Sequence, residues 1–315
     1  MQPKSPEVPT VSVVMAVYNE RPAFLRQAID SILAQTMSAF EFVIVDDGST
    51  SEEVPTILRE YANRDARIKV FRQPQSGLSV ALNEGIDRCS SEWVFRQDSD
   101  DWSEPNRLQV MLDHLRLNPE LGLLGSFASM HQEDGGALWI AKRPEEHAEI
   151  CEYLRTGNPF IHGSVAFKKG VFEQVGKYNS RIRYAQDYEL FVRMSREVRT
   201  QNLSQPLYHF RYTATAAEKA VMYTAIEQRI KVESSAGDGT ECNEQSVADL
   251  TRVGDRLLLA GSYARCCRTY AKLLCADPFN PRIWAKALRA LSFVCLPRLR
   301  RHLFPDTLPL GCREN

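Results

Sequence analysis

The chain has 315 residues, with 39 basic against 40 acidic side chains and 43% hydrophobic residues. This balance excludes disorder, collagen or coiled coil as descriptions of the whole chain, and it argues against a nucleic-acid-binding protein. Its eight cysteines form no C-x-x-C pair, so neither a disulfide scaffold nor a zinc ribbon is indicated. Without a signal peptide or an 18-residue apolar run, we expect a soluble, cytoplasmic protein, or one resting on the inner face of the cell membrane.

The first 126 residues alternate between strand and helix patterns. Strands are predicted over residues 11–17, 40–45, 68–71 and 93–96. Helices are predicted from Pro22, across the repeat of Val54, Ile57, Leu58 and Tyr61, over residues 78–86, and across Leu108, Met111, Leu112 and Leu115. Such βα units predict a mostly parallel sheet, whose ligands bind beyond the carboxyl ends of the strands.

The rest of the chain is less regular. Residues 127–212 are mixed, with a strand predicted over 164–167 and a short helix over 188–194. We predict a first domain over 10–215 and a helical C-terminal extension over 216–315, containing one tetratricopeptide-like hairpin near Gly261 and Tyr270. The basic amphipathic stretch at 282–302 is predicted either to rest on an anionic membrane or to be a helix with a solvated basic face.

Acidic residues follow the predicted strands. Residues 46–49 read Asp-Asp-Gly-Ser, residues 98–101 read Asp-Ser-Asp-Asp, and Asp187 precedes the later helix. Turn formation and helix capping are the alternative explanation of each cluster. In residues 98–101 three carboxylates repel one another unless a cation lies among them, which favours Mg²⁺ or Mn²⁺.

Six segments resemble family 2 glycosyltransferases, in the expected order. They are residues 13–20, 43–50, 77–86, 98–101, 158–163 and 186–190. The resemblance covers roughly residues 10–212. Each motif supports it because the motif lies at the position in the predicted strand and helix pattern that the family requires. It implies an α/β fold of the glycosyltransferase A type: a Rossmann-like nucleotide-diphospho-sugar transferase sheet with helices on both faces, followed by the α-helical extension.

The resemblance also implies roles for individual residues. The nucleotide-diphospho-sugar donor would meet Ala16, Tyr18, Glu20, Asp47, Asn83 and Asp98. Asp100 would bind the Mn²⁺ or Mg²⁺ that bridges the phosphates, and Asp187 would be the general base. On the acceptor side the candidates are His162, for which a structural histidine is the alternative, and Trp102, for which core packing is the alternative. Arg72 and Arg96 are candidate phosphate ligands, with solvated or helix-pairing arginines as the alternative.

The expected reaction is an inverting, metal-assisted transfer to a hydroxyl of a glycan or lipid-linked acceptor in cell-surface polysaccharide biosynthesis. Gln186 stands where many relatives have Glu, and residues 211–216 lack the histidine that relatives place near the metal, so a third protein ligand stays open. The absence of a Gln-x-x-Arg-Trp signature predicts a non-processive enzyme.

Two alternatives remain. One is a catalytically silent scaffold that binds a partner through its helical tail. The other is a sugar nucleotidyltransferase, which would carry a glycine-rich, basic loop after the first strand, unlike Ala16-Val-Tyr-Asn-Glu20.

Overall fold

The computed structural model describes residues 9–212 of the chain. Two compact units are distinguished, Met1–Met130 with Trp139–Phe210, and His131–Leu138 with Arg211–Asn315. The tetratricopeptide-like hairpin and the basic stretch at 282–302 lie outside the described residues, and the domain boundary at 215/216 stays a prediction. None of the helices in residues 9–212 has the length and apolar character needed to cross a bilayer.

Strands and helices alternate through the first half of the chain. The strands are β1 (Val11–Val17), β2 (Phe40–Asp46), β3 (Ile68–Arg72), β4 (Trp93–Arg96), β5 (Trp102–Ser103), β6 (Leu121–His131), β7 (Ala137–Ala141), β8 (Ala166–Lys168) and β9 (Arg199–Arg211). The helices are α1 (Pro22–Leu33), α2 (Glu53–Arg64), α3 (Leu78–Arg88), α4 (Arg107–Leu117), α5 (His147–Leu154), α6 (Lys169–Val175) and α7 (Gln186–Glu197), and a 3₁₀ turn spans His162–Ser164.

These strands form one mixed sheet in the order β3-β2-β1-β4-β8-β6-β9-β5, with β7 beside β6. The pairs β1–β2, β1–β4 and β2–β3 are parallel, which confirms the prediction for the first four βα units. Beyond β4 the sheet continues through antiparallel pairs, β4–β8, β6–β8 and β5–β9, so the expectation of a mostly parallel sheet holds for one half only.

The parallel half is packed tightly. Every residue of β1 and β2 is buried, as expected for β-branched and aromatic runs covered on both faces. Helix α3 approaches this sheet at Gly85, where an added Cβ would lie 2.7 Å from Val14 Cγ2 and 3.1 Å from Val45 Cγ2. A glycine is therefore required for the close packing that sets the start of α3 beside the carboxyl ends of β1 and β2.

Helix α7 is longer than predicted. It begins at Gln186 rather than at Tyr188, because its first turn is polar and the apolar periodicity starts only afterwards. Asp187 therefore lies inside the first turn instead of preceding the helix. The strand predicted over 164–167 is displaced to Ala166–Lys168, because the 3₁₀ turn occupies Ser164.

Candidate functional site

Asp47, at the carboxyl end of β2, organises the loop that leads into α3. Its side chain is buried, and Oδ1 accepts hydrogen bonds from Gln73 Nε2 at 2.7 Å and from the backbone N–H of Ser76 at 2.9 Å. Oδ2 accepts the backbone N–H of Gly77 at 2.8 Å. A carboxylate has about four acceptor positions, so most of this one is committed within the chain. The predicted contact of Asp47 with the nucleotide-diphospho-sugar donor stays a prediction.

The loop after β1 connects the two acidic segments. Asn19 adopts a left-handed conformation with φ of 49°, and its Oδ1 accepts the backbone N–H of Thr50 at 2.8 Å. The carboxylate of Glu20, a predicted donor-binding residue, accepts the hydroxyl of Ser99 at 3.1 Å. This loop therefore aligns the end of β1 with the segments that follow β2 and β4.

The other predicted donor-side residues differ in exposure and in partners. Tyr18 is 42% exposed, whereas Ala16 is buried at the end of β1. Asn83 donates from Nδ2 to the backbone oxygen of Tyr178 at 2.9 Å and accepts the Tyr178 N–H at 3.0 Å. Both ends of the Asn83 amide thus anchor the segment before α7. Contact of these residues with the donor stays a prediction.

A buried arginine pairs with the first carboxylate of the acidic segment. Arg96 is fully buried in β4 and donates from Nη2 to Asp98 Oδ1 at 2.6 Å. Burial alone would lower the pKa of Arg96, but the negative charge of Asp98 and its neighbours outweighs it and raises the pKa. The interpretation of Arg96 as a solvated or helix-pairing arginine is therefore wrong. Arg72 is half-exposed and pairs with Asp46 at 3.0 Å.

A second fully buried arginine, Arg107, begins α4 and supports the same region. It donates from Nη2 to the backbone oxygens of Arg96 at 2.7 Å and Gly163 at 2.9 Å. Burial lowers the pKa of Arg107 to about 10, so the group stays positive at neutral pH. An added Cβ on Gly163 would lie 1.9 Å from Tyr208 Oη and 2.7 Å from Asp98 Oδ2, so only glycine fits.

Tyr208 of β9 completes the cluster. Its hydroxyl donates to Asp101 Oδ2 at 2.9 Å and accepts the backbone N–H of Asp98 at 3.1 Å. Burial raises the pKa of Tyr208 well above its usual value, so the hydroxyl keeps its proton. The argument that a cation must separate these carboxylates is therefore wrong for Asp98 and Asp101, because Arg96 and Arg107 supply positive charge from within the chain.

The acidic segment nevertheless fits a cation whose remaining coordination positions are filled by substrate phosphates. Within residues 9–212 no group of three or more His, Cys, Asp or Glu side chains is arranged to hold a metal. Mg²⁺ usually takes only one or two protein carboxylates and fills its shell with water and substrate phosphates. Asp100 is partly buried in the acidic segment and is suited to that role.

Trp102 and His209 form a stacked pair. Their ring centroids are 4.9 Å apart with planes inclined by 5°, and the two residues are partners across β5 and β9. His209 Nε2 also lies 2.8 Å from Glu104 Oε1. One face of Trp102 is therefore covered, and its predicted stacking on an acceptor sugar would use the opposite face.

Asp187 lies in the first turn of α7, where the helix dipole favours a negative charge. It is 5% exposed, and its Oδ2 accepts a hydrogen bond from Asn158 Nδ2 at 2.9 Å. The preceding Ala185 is in the left-handed region, with φ of 57°. The chain thus turns sharply to bring the carboxylate to the segment at 158–163.

His162 and Tyr178 lie between the acidic segment and Asp187. His162 Nε2 and the Tyr178 hydroxyl share a hydrogen bond of 2.7 Å. Burial, with a contribution from Arg96, lowers the pKa of His162 to about 3, so its ring is neutral at physiological pH. Burial also raises the pKa of Tyr178, and the charges of Asp187 and Asp98 raise it further.

Several supporting residues were not predicted. Arg107, Tyr208 and Tyr178 carry no motif, and nothing in their local sequence shows what they contact. Asn158 stands in a segment that resembles the family, but that resemblance did not assign it a role.

The chain matches the family described as Glycosyl transferase family 2 over residues 12–176. The UDP-Gal:alpha-D-GlcNAc-diphosphoundecaprenol beta-1,3-galactosyltransferase of Escherichia coli is 29% identical over 259 residues, 81% of this chain and 94% of that one. The O-antigen biosynthesis glycosyltransferase WbnJ of Escherichia coli is 32% identical over 219 residues, 67% of this chain and 83% of that one.

A solved structure shares the fold. Mannosyltransferase PcManGT from Pyrobaculum calidifontis, in complex with GDP-Man and Mn²⁺, superposes with a TM-score of 0.56 and 17% identity. The match covers 95% of this chain and 88% of that one. At this identity the likeness bears on the fold alone, and it confirms the predicted α/β architecture.

Proposed function

Because the chain belongs to glycosyl transferase family 2 and is a glycosyltransferase, we propose that it transfers one sugar per encounter from a nucleotide-diphospho-sugar to a hydroxyl of a glycan or lipid-linked acceptor. The transfer inverts the anomeric centre, is assisted by Mn²⁺ or Mg²⁺, and serves cell-surface polysaccharide biosynthesis. Two relatives support this setting, since one is named for galactose transfer to a diphosphoundecaprenol-linked GlcNAc and the other for O-antigen biosynthesis.

One observation carries the proposal. The segment at 158–163 lies against both acidic groups. Asn158 Nδ2 donates to Asp187 Oδ2 at 2.9 Å, and a Cβ added to Gly163 would lie 2.7 Å from Asp98 Oδ2. The acidic segment after β4 and the carboxylate of α7 therefore border the same short segment, although they are far apart in sequence. Donor-side and acceptor-side groups placed together in this way are what a direct displacement needs.

The proposed chemistry is a single displacement. The acceptor hydroxyl oxygen attacks the anomeric carbon while the bond from that carbon to the diphosphate oxygen breaks. Asp187 takes the hydroxyl proton, and the nucleoside diphosphate leaves with the bonding electron pair. Entry opposite the leaving group inverts the anomeric centre. His162 is neutral at working pH, so it is suited to hydrogen bonding rather than to carrying charge.

Residues of this chain would also hold the leaving group. The loop that Asp47 orders lies beside the carboxyl ends of β1 and β2, where parallel sheets bind nucleotides. Asp100 would ligate a divalent cation, which when bound neutralises charge on the diphosphate. Arg96 is paired with Asp98, and that pair would keep the donor-binding carboxylate of Asp98 in place.

The first experiment is thermal unfolding with UDP-, GDP- and dTDP-sugars, each with and without Mn²⁺, starting with UDP-galactose. A ligand at a hundredfold excess over its Kd stabilises the native state by about 2.7 kcal/mol. We expect a Mn²⁺-dependent shift with one nucleotide class, which Asp100→Ala removes. If no donor shifts the unfolding temperature, the donor site is wrong and the silent scaffold becomes the better account. An equal shift without Mn²⁺ contradicts metal assistance.

Asp187→Asn tests the base. The amide cannot accept the acceptor proton, so transfer should fall by about 10² or more, the scale of a lost general base. Stabilisation by the donor should persist in this variant, because the donor is held by other residues. Initial rates of transfer and the donor-induced shift would be measured side by side. Unchanged transfer would remove Asp187 from the mechanism.

A further inference from the structure

The amide of Asn158 has a fixed orientation toward Asp187. Its Oδ1 accepts the backbone N–H of Phe160 at 3.0 Å, and its Nδ2 donates to Asp187 Oδ2 at 2.9 Å. Because a backbone N–H can only donate, the amide oxygen must face Phe160 and the NH₂ group must face the carboxylate. The local chain thus determines which end of Asn158 meets Asp187.

Other contacts hold α7 against the segment at 154–160 without Asn158. The Tyr188 hydroxyl donates to the backbone oxygen of Leu154. The rings of Phe160 and Phe191 pack edge-to-face with centroids 5.0 Å apart. The docking of the helix and the orientation of the Asp187 carboxylate therefore depend on different groups.

The backbone before α7 is strained in a way that serves this contact. Ala185 is fully buried and left-handed, a conformation that is unfavourable for a residue other than glycine. Such residues persist where the surrounding structure imposes them, and they cluster at functional sites. Here the turn sets Gln186 and Asp187 as the first two residues of the helix, with the carboxylate at the Asn158 amide.

The groups around Asp187 define its electrostatic setting. Tyr178 faces it from the segment before α7, and His162 is hydrogen-bonded to that tyrosine. Arg96 and Asp98 act on His162 from the other side. On α7 itself, Glu189 is paired with Arg193 at 2.7 Å.

We propose that Asn158 is a positioning residue that orients the Asp187 carboxylate toward the acceptor hydroxyl. The N–H of Asn158 donates to Asp187 Oδ2 at 2.9 Å and limits rotation of the carboxylate, so the chain itself sets the orientation of the base. This inference rests on the proposed function, in which Asp187 is the base.

The test compares Asn158→Ala and the similarly shaped Asn158→Leu with Tyr188→Phe and Asp187→Asn. The assay is sugar transfer from the panel donor that stabilises the chain. We expect kcat of both Asn158 variants to fall about ten- to hundredfold, the scale of a misoriented group, with donor KM within about twofold. Tyr188→Phe, which loses a contact between the same two elements, should match the parent.

The outcomes separate this inference from the proposed function. If Asp187→Asn is inactive while both Asn158 variants keep the parental kcat, the positioning role is overturned and the base assignment stands. An equal loss in Tyr188→Phe would assign the effect to helix docking and also overturn the role. Full activity in Asp187→Asn would contradict the proposed base, and with it this inference. Thermal unfolding of each variant identifies any that fails to fold, and the volume of Asn158→Leu guards against collapse at the site.

Discussion

Both ends of the parallel strands carry a carboxylate, but the hydrogen-bond partners of that carboxylate differ between the two ends. At the amino end, Glu41 of β2 lies opposite Ser12 of β1 in the ladder and accepts its hydroxyl at 2.6 Å. Lys69 of the neighbouring β3 donates to the other oxygen at 2.6 Å. These two partners come from adjacent strands, and Ser90, in the connection before β4, donates its hydroxyl to Glu41 at 2.7 Å. The arrangement therefore follows largely from the register of the sheet.

The carboxyl end draws its partners from much further along the chain. Asp98 pairs with Arg96 at the end of β4, and its backbone N–H donates to the hydroxyl of Tyr208, 110 residues later in β9. Arg107 of α4 donates hydrogen bonds to the backbone oxygens of Arg96 and Gly163. The difference shows that the contacts at the amino end serve only the stability of the sheet. At the carboxyl end, stability and the candidate site depend on the same residues.

Arg96→Met should have the largest effect, and it should affect both the stability of the fold and binding at the candidate site. Breaking a buried ion pair by removing one partner costs about 3–5 kcal/mol, because a charge is left without its counterion. Asp98 is partly exposed, so we expect the lower end of that range. Urea unfolding would measure the loss, and the donor-induced thermal shift should shrink with it. A fully stable variant would show that Arg96 is dispensable for the cluster.

Glu41→Gln should affect stability alone. Burial by itself would raise the pKa of Glu41, but hydrogen bonds from Lys69, Ser12 and Ser90 outweigh it and lower the pKa from 4.5 to about 2. A lowered pKa stabilises the fold above the unfolded value of 4.5, and this contribution is lost as the pH falls toward 2. At pH 7 we expect a loss of about 2 kcal/mol, discounted because Lys69 is half-exposed.

The measurement for Glu41→Gln is urea unfolding at several pH values. The gap between parent and variant should be full near neutral pH and should close as the pH falls below 4.5. Transfer per folded molecule should equal that of the parent. A constant gap at all pH values would contradict the electrostatic origin, and a lost activity would contradict the separation of the two ends.

Lys69→Met should have the smallest effect. The lysine side chain is 47% exposed although its partner Glu41 is 3% exposed. Pairs that reach solvent contribute about 1 kcal/mol or less, and Ser12 and Ser90 would still hold the carboxylate. Thermal unfolding at low and high salt would check this, since the small difference should shrink with screening. A loss as large as that of Glu41→Gln would make Lys69 the principal partner.

Much of the parallel half was predictable because its signals are local. The buried strands, Pro22 at the start of α1 and the acidic residues after β2 and β4 all follow from periodicity and residue type. Helix α7 was predicted too short, since a polar first turn carries no apolar period. The antiparallel half was not predicted, because pairing between β4 and β8 is a choice among distant partners.

The candidate site divides in the same way. Asp98 and Asp187 could be selected from the sequence, because acids at strand ends and helix starts, in segments resembling a family, have a recognisable pattern. The contacts of Arg107, Tyr208 and Asn158 could not be predicted. Hydrogen-bond partners depend on which groups the fold brings together, and the neighbouring residues in the chain do not show this.

The sequence by itself determined the α/β class, the family resemblance and which acidic side chains reach the edge of the sheet, since these depend on short-range patterns. Only the tertiary structure decided how those acids are satisfied: Arg96 and Arg107 balance the acidic segment, Tyr208 binds Asp98 and Asp101, and Asn158 binds Asp187. The physical reason is that burying a charge is costly unless a partner lies within hydrogen-bond distance, and folding brings that partner from elsewhere in the chain.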